Sequence, residues 1–529
     1  MVGAWVSWTG LTALVLLGLL VWSFHARHGY LMASPYPVGV DGYFYPIQVR
    51  SLLSEGRLHY PSAPLALWFM APFAALENPV DGAKIAAALG SALMVLPAYL
   101  LGRRVGGSRA TGLLAAVLVG TSAESFYLSA EFVKNGLGLT VAASFLCALA
   151  WAADATADAT AGEHAAARRP RGPWLLAGTL LLATALTHKL ALAVALLASA
   201  PLLWHLWHVD GVRPQWRRAG AVSGRAVAIL ALVLVAALIA VLSMPAVVPE
   251  AGDLALLGDL VAGPLDPSLP ALARTGQRTL WFQYEVAIAG ALALGVLVAI
   301  PLLRRWSALT GNRSPAESRA RSLAVGLAAV GLLCAWPMAD VSDPQGLGFR
   351  VRLLAFLPLA VCAAALVGEV ARRLQALPRA ALVLPFLLAF AWARPVATGE
   401  GVVVVHPATQ AGIRALAGSI PDGDVVVVPE RRLMFMVTWY TGRPAVLRPD
   451  SIAPERRWRL LPDWYRSDPL DRAVREARAT RWGEKKMRPR DLHPRHRDAL
   501  ILVPEATWQV MLSSLPERLR KHYARWPTL

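Results

Sequence analysis

Two acidic side chains and five basic ones stand where they could do chemistry in this 529-residue chain. Asp41 lies in the first long polar stretch, VGVDGYFYPIQVRSLLSEGRL, directly after an apolar N-terminal segment, and Glu131 lies in SAEFVKNG, after the third apolar run. A carboxylate held beyond the hydrocarbon can take a proton from an attacking hydroxyl or amide, and it can also ligate a divalent cation. Lys134, His188 with Lys189 in ALTHKLAL, and Arg350 with Arg352 in QGLGFRVRLL are cations suited to hold an anionic group. Asp41 has a plain reading as well, because Asp before Gly favours a turn.

The elements that must position these residues are membrane spans. The chain is 56% hydrophobic and 16% charged, with a mean hydropathy of +0.47, which is not the profile of a soluble globular protein. Apolar runs long enough to cross the hydrocarbon, or to do so packed in a bundle, fall near 4 to 24, 85 to 102, 110 to 128, 136 to 153, 173 to 187, 190 to 204, 226 to 248, 286 to 303, 322 to 339, 353 to 368 and 380 to 393. They predict a polytopic α-helical membrane protein of about 11 transmembrane helices.

Arginines collect in alternate loops, at Arg103, Arg104 and Arg109, at Arg168, Arg169 and Arg171, at Arg213 to Arg225, at Arg304 to Arg321, and at Arg372, Arg373 and Arg379. Cationic loops stay in the cytoplasm, so the N-terminus is expected inside and Asp41 and the C-terminal region outside. The net charge of +18 sits largely in these loops, where anionic headgroups are the natural counterions, and nucleic acid is not an expected partner. The first span lacks a charged n-region and a small-residue cleavage pattern and reads as an uncleaved helix. Cys147, Cys334 and Cys362 all fall in spans, which excludes a disulfide framework and a Cys-based metal site. The excess of Arg over Lys and the abundance of Ala suit a GC-rich bacterial genome, and so a bacterial inner membrane.

The polar stretch from Tyr43 to Leu58 has Ile47, Leu52 and Leu53 near one side, so it can lie in the interface. PLALWFMAPFAAL, from Pro64 to Leu76, is too short to span comfortably and reads as a re-entrant or interfacial piece. ADATADATAGEHAAARRPRG, between Ala153 and Gly172, reads as a flexible linker. From about Gly399 the composition changes: Val402 to Val405, Val425 to Val428 and Ala499 to Val503 read as buried strands, TQAGIRALAGSI and RRLMFMVTWYTG as helices. The expected domains are a transmembrane part over 1–395, with an outer loop at 25–84, and an extracytoplasmic α/β domain over 396–529. Neither GxGxxG nor GxxxxGK[ST] occurs in the latter, which argues against nucleotide binding.

The order of spans and the segment DGYFYPIQVRSLLSEGRL resemble the GT-C superfamily of membrane glycosyltransferases, which includes protein O-mannosyltransferases, aminoarabinose transferases of lipid A and oligosaccharyltransferase catalytic subunits. Its members carry an essential acid in the first outer loop ahead of an aromatic-rich amphipathic segment, and use polyprenyl-phosphate-linked sugar donors. The chain departs from its best-known branches in having neither a DE pair in the second outer loop nor the WWDYG sequence, so it resembles a divergent branch. The resemblance implies Asp41 as general base or metal ligand and Glu131 as the second acid, orienting a metal, the acceptor or the base. It implies Tyr43, Tyr45, Arg50, Lys134, His188, Lys189, Arg350 and Arg352 as substrate contacts, a divalent cation as candidate cofactor, and a lipid, glycan or protein acceptor. Glu124, two helical turns before Glu131, has a paired or protonated reading inside the bundle beside the functional one. Asp340 and Asp343 read as a solvated turn, and the loop from Pro249 to Gln283 as a lid or a plain linker.

Two other classes fit some of these features. A transporter of lipid-linked saccharides would also need a polar cavity open to lipid, but no repeat relates the two halves of the chain. A non-catalytic scaffold of envelope polysaccharide assembly would use the outer domain and leave Asp41 without a chemical task.

Overall fold

The computed structural model describes residues 8–39, 41–161, 171–209, 260, 279–307, 315–339, 341, 346–373, 413–414, 426–427, 431–443, 445–446, 500–501 and 517. The chain divides into two compact units, one of residues 1–33 and 60–399 and the other of 34–59 and 400–529.

The first unit is a helical bundle. It comprises α1 (Trp8–Met32), α3 (Leu65–Leu76), α4 (Pro79–Ala92), α5 (Val95–Gly106), α6 (Arg109–Gly120), α7 (Ala123–Glu131), α8 (Val133–Ala161), α9 (Arg171–Thr187), α10 (Lys189–His208), α11 (Thr279–Ser307), α12 (Pro315–Cys334), α13 (Leu347–Arg352) and α14 (Phe356–Arg373). Five helices among the described residues are long and apolar enough to cross a membrane, Thr9–Met32, Pro79–Gly106, Val133–Thr156, Lys189–His208 and Leu347–Arg372, and a sixth is the bent pair α6 and α7. The spans expected near 226 to 248 and 380 to 393, and the loop from Pro249 to Gln283 except for Leu260 and the helical residues 279–283, lie outside the described residues, as do Asp340, Asp343 and the strand at Val402 to Val405. The stretch expected to be a linker from Ala153 is instead helical as far as Ala161, because its alanines are the strongest helix formers.

Packing is driven by small residues. Gly368 of α14 lies against the backbone of Gly106 of α5, so closely that a Cβ at 368 would overlap it, the small-on-small packing that lets helices approach without a hydrophobic driving force from lipid. One apolar core runs through α5, α6, α8, α10, α11, α12 and α14, with Leu101, Leu114, Leu146, Leu202, Leu327 and Ala360 buried in it.

The third expected span, near 110 to 128, is not a single straight helix. It bends by 47° between α6 and α7, where the run Gly120-Thr121-Ser122 interrupts the backbone ladder and leaves carbonyls at the end of one helix and amides at the start of the next. Two buried charges from other helices take up these groups. Arg27 of α1, only 1% exposed, donates from Nη1 to the Gly120 carbonyl at 3.3 Å and from Nη2 to Ser125 Oγ at 3.0 Å. It also donates to Ser23 Oγ at 2.5 Å. Glu285 of α11 accepts the Ala123 N–H at 2.9 Å on Oε1 and the Ser122 hydroxyl at 2.6 Å on Oε2. A cation at a helix C-terminus and a carboxylate at an N-terminus are the signs that the two helix dipoles favour.

The second unit contains α2 (Phe44–Glu55), α15 (Arg431–Thr441) and a parallel sheet of β1 (Val426–Val427), β2 (Ala445–Val446) and β3 (Leu500–Ile501) in the order β2-β1-β3. Thr438 Oγ1 accepts the Ala445 N–H at 3.1 Å, tying α15 to β2.

Candidate functional site

Asp41 sits on a tight turn that leads into α2. Gly39 takes φ +92°, a value that favours glycine, and the Gly42 N–H bonds the Gly39 carbonyl at 3.1 Å. A Cβ at Gly42 would stand 2.5 Å from the Val38 carbonyl oxygen, so the turn needs both glycines. The Asp41 carbonyl accepts the Phe44 N–H at 3.0 Å, which starts the helix, and the residue is half-buried.

The face of α2 that follows is buried against α15. The Tyr43 hydroxyl lies 3.1 Å from that of Tyr440, Phe44 meets Phe435 edge to face with ring centroids 5.2 Å apart, and Tyr45 is buried beside Phe44. The Arg50 guanidinium stacks over the Trp439 ring at 4.2 Å, a cation–π contact. These side chains fix the turn that presents Asp41.

In the bundle, the polar residues singled out in the sequence divide into two groups. Lys134 and Gly138 lie one turn apart on α8, and so on one face. At Gly138 the missing side chain admits the break between α9 and α10: an added Cβ would stand 3.1 Å from the His188 Cβ and 2.9 Å from the Ala191 Cβ. His188 is extended there, with φ −164° and ψ 129°, and its Nδ1 accepts the Leu190 N–H at 3.2 Å, capping α10. That bond requires an imidazole bare at Nδ1. Burial, then the charges of Lys134, Arg350 and Lys189, hold the His188 imidazole well below its ordinary range. Lys134, Lys189 and Arg350 thus lie near enough to His188 for their charges to act on it, and the four residues form one cluster. Lys134 Nζ donates to Ser62 Oγ at 2.9 Å, and the Arg350 guanidinium lies 5.3 Å from the centroid of the Phe132 ring.

The others are placed differently. Arg352 is buried and donates from Nη2 to the Trp336 carbonyl at 3.4 Å. Glu131 is the last residue of α7 and nearly buried. Glu124 is fully buried, and its Oε2 accepts the Phe356 N–H at 2.9 Å, so it caps α14. Among the described residues no three His, Cys, Asp or Glu side chains gather closely enough to hold a metal ion. Asp41 and Glu131 are therefore not part of a described three-residue cluster of that kind.

No protein-family model matches the chain, and no curated protein sequence matches it. Solved structures do. The oligosaccharyltransferase of Archaeoglobus fulgidus, in complex with Zn and sulfate, aligns with a TM-score of 0.54 at 15% identity, over 82% of this chain and 62% of that one. The chain shares that fold. ArnT from Cupriavidus metallidurans bound to undecaprenyl phosphate aligns at a TM-score of 0.48 and 16% identity, over 84% of this chain and 86% of that one. The same protein in its apo state aligns at 0.40 and 17%.

Within this bundle two residues that hold the α6–α7 bend escaped the sequence reading, Arg27 and Glu285. Arg27 is the one arginine in VWSFHARHGY and Glu285 the one carboxylate in TLWFQYEVAIAG, each close to or inside an apolar run, and a charge at membrane depth is a signal that asks for a partner.

Proposed function

We propose that the protein is a membrane glycosyltransferase that moves a sugar from a polyprenyl-phosphate-linked donor to an acceptor on the extracytoplasmic side. The observation that carries this reading is the gathering of Lys134, His188, Lys189 and Arg350 at one helix junction of a GT-C bundle. Such a cluster suits a phosphate leaving group, whose charge grows as the bond to the sugar breaks.

The reaction runs as follows. An acceptor oxygen or nitrogen bonds to the anomeric carbon while the bond from that carbon to the phosphate oxygen breaks, and the polyprenyl phosphate leaves with the bonding pair. The acceptor proton passes to the Asp41 carboxylate, acting as general base. Attack opposite the leaving group inverts the anomeric centre. Lys134, Lys189 and Arg350 carry charge-assisted hydrogen bonds to the phosphate, and His188, bare at Nδ1, offers its Nε2–H. Glu131 is assigned to orienting the acceptor or the base. Tyr43, Tyr45 and Arg50 are assigned to the substrate side of the Asp41 turn, and Arg352 to holding the bundle wall behind the donor through the Trp336 carbonyl. The C-terminal unit is assigned to the outer face as an acceptor-docking domain, with the N-terminus in the cytoplasm of a bacterial inner membrane.

The test is transfer of radiolabelled sugar from a polyprenyl phosphate donor by purified protein in nanodiscs, with the native chain beside Asp41→Asn. The expected outcome is product from the native chain and a loss of about a hundredfold or more in the variant, at unchanged expression and thermal stability. Full activity in Asp41→Asn removes that residue from the mechanism.

A further inference from the structure

A second polar site lies in the bundle, built from residues that the transfer reaction does not use. A cavity of about 810 Å³ opens among α5, α8, α9, α12 and α14, at the end of the bundle that carries Arg103 and Arg104, the end whose loop charges mark it as cytoplasmic. One wall is apolar and faces outward: Leu96, Leu100, Trp151 and Leu176 line it and are all exposed, Trp151 by 56%. At the other side stand guanidiniums. Asp154 is shared by Arg104 and Arg319, and Glu369 is shared by Arg321, at 3.3 Å, and Arg372, at 2.6 Å.

The charges do not balance. Of the described residues that line the cavity, four are guanidiniums, Arg103, Arg104, Arg321 and Arg372, and two are carboxylates, Asp154 and Glu317, a surplus of two positive charges among these lining residues. The Nε atoms of Arg104 and Arg372 are moreover buried with no hydrogen-bond partner, donors that the protein itself leaves unspent. Surplus cations with spare donors, set beside an apolar wall open to the side, match an amphiphile whose head is an anionic phosphate and whose tail is hydrocarbon.

We infer that this cavity binds one anionic phospholipid from the adjoining leaflet, its phosphate among Arg103, Arg104 and Arg372 and its chains along Leu96, Leu100 and Trp151. Arg103 is exposed, so Arg103→Gln removes a charge at little risk to the fold; Arg103→Gln with Arg372→Gln removes the surplus. Arg109→Gln, at the same end but outside the cavity, is the control for charge alone.

Native mass spectrometry of protein released from nanodiscs containing equal phosphatidylglycerol and phosphatidylcholine reads the result. The expected outcome is a retained phosphatidylglycerol on the native chain and on Arg109→Gln, and roughly tenfold less of it on the double variant, the effect of losing at least one charge-assisted contact. Equal retention of the two lipids, or undiminished phosphatidylglycerol on the double variant, overturns the site. If the double variant does not fold, Arg103→Gln alone decides by the same comparison. Displacement of the lipid by millimolar inorganic phosphate overturns the assignment to a lipid and leaves a site for free phosphate.

Discussion

Lys134, Arg350 and Arg352 look alike in the sequence, yet their surroundings separate them. Lys134 and Arg350 bear on His188, whereas Arg352 donates to a backbone carbonyl inside the bundle. Replacing Arg350 with Ala is expected to weaken binding of a fluorescent polyprenyl phosphate donor by about 1.5 to 3 kcal/mol, the worth of one hydrogen bond to a charged group. Arg352→Ala is expected to lower the unfolding temperature while leaving that affinity within about twofold, since its loss exposes a buried carbonyl. Titration calorimetry with both variants checks the pair, and equal affinity loss would place Arg352 at the donor as well. The sequence could name all three because outward cations are few, but it could not rank them, because side-chain direction at a span end depends on packing.

At the scale of elements the bundle contains a broken helix. The pattern of apolar residues near 110 to 128 reads as continuous, and Thr121 and Ser122 are small enough not to interrupt it, so periodicity alone hides the 47° bend. What betrays the break is long-range: Arg27 on the carbonyl end and Glu285 on the amide end. Glu285→Gln keeps the shape and loses the charge at the α7 N-terminus, and is expected to cost about 1 to 3 kcal/mol of stability, read as a lower unfolding temperature in detergent. An unchanged unfolding temperature would mean that the break holds without that charge. The apolar runs behind α1, α8, α10 and α14 were legible at once, since length and hydropathy suffice there. The grouping of residues 34–59 with 400–529 was not, because it rests on the aromatic packing of Tyr43 and Phe44 against α15, and no local period encodes which distant helix a ring meets.

For the whole molecule, the loop arginines are what support the orientation proposed above. Single cysteines placed at Arg109 and at Arg57, in a chain whose Cys147, Cys334 and Cys362 are changed to Ser, are expected to respond oppositely to a membrane-impermeant maleimide in intact cells. Position 57 labels and position 109 does not; the reverse pattern would invert the assignment of Asp41 to the outer face.

The Arg27 clamp also bears on how the chain is made. Its partners, the Gly120 carbonyl and Ser125, lie 93 and 98 residues downstream, so at synthesis rates of about 5 to 20 residues per second the guanidinium emerges about five to twenty seconds before they do. Until then the Arg27 guanidinium has, of the partners named, only Ser23 of its own helix, and hydrocarbon disfavours so thinly partnered a cation. The nascent first helix must therefore linger at the insertion machinery or ride high in the headgroups, and settles to its final depth only once the sixth and seventh helices have been delivered.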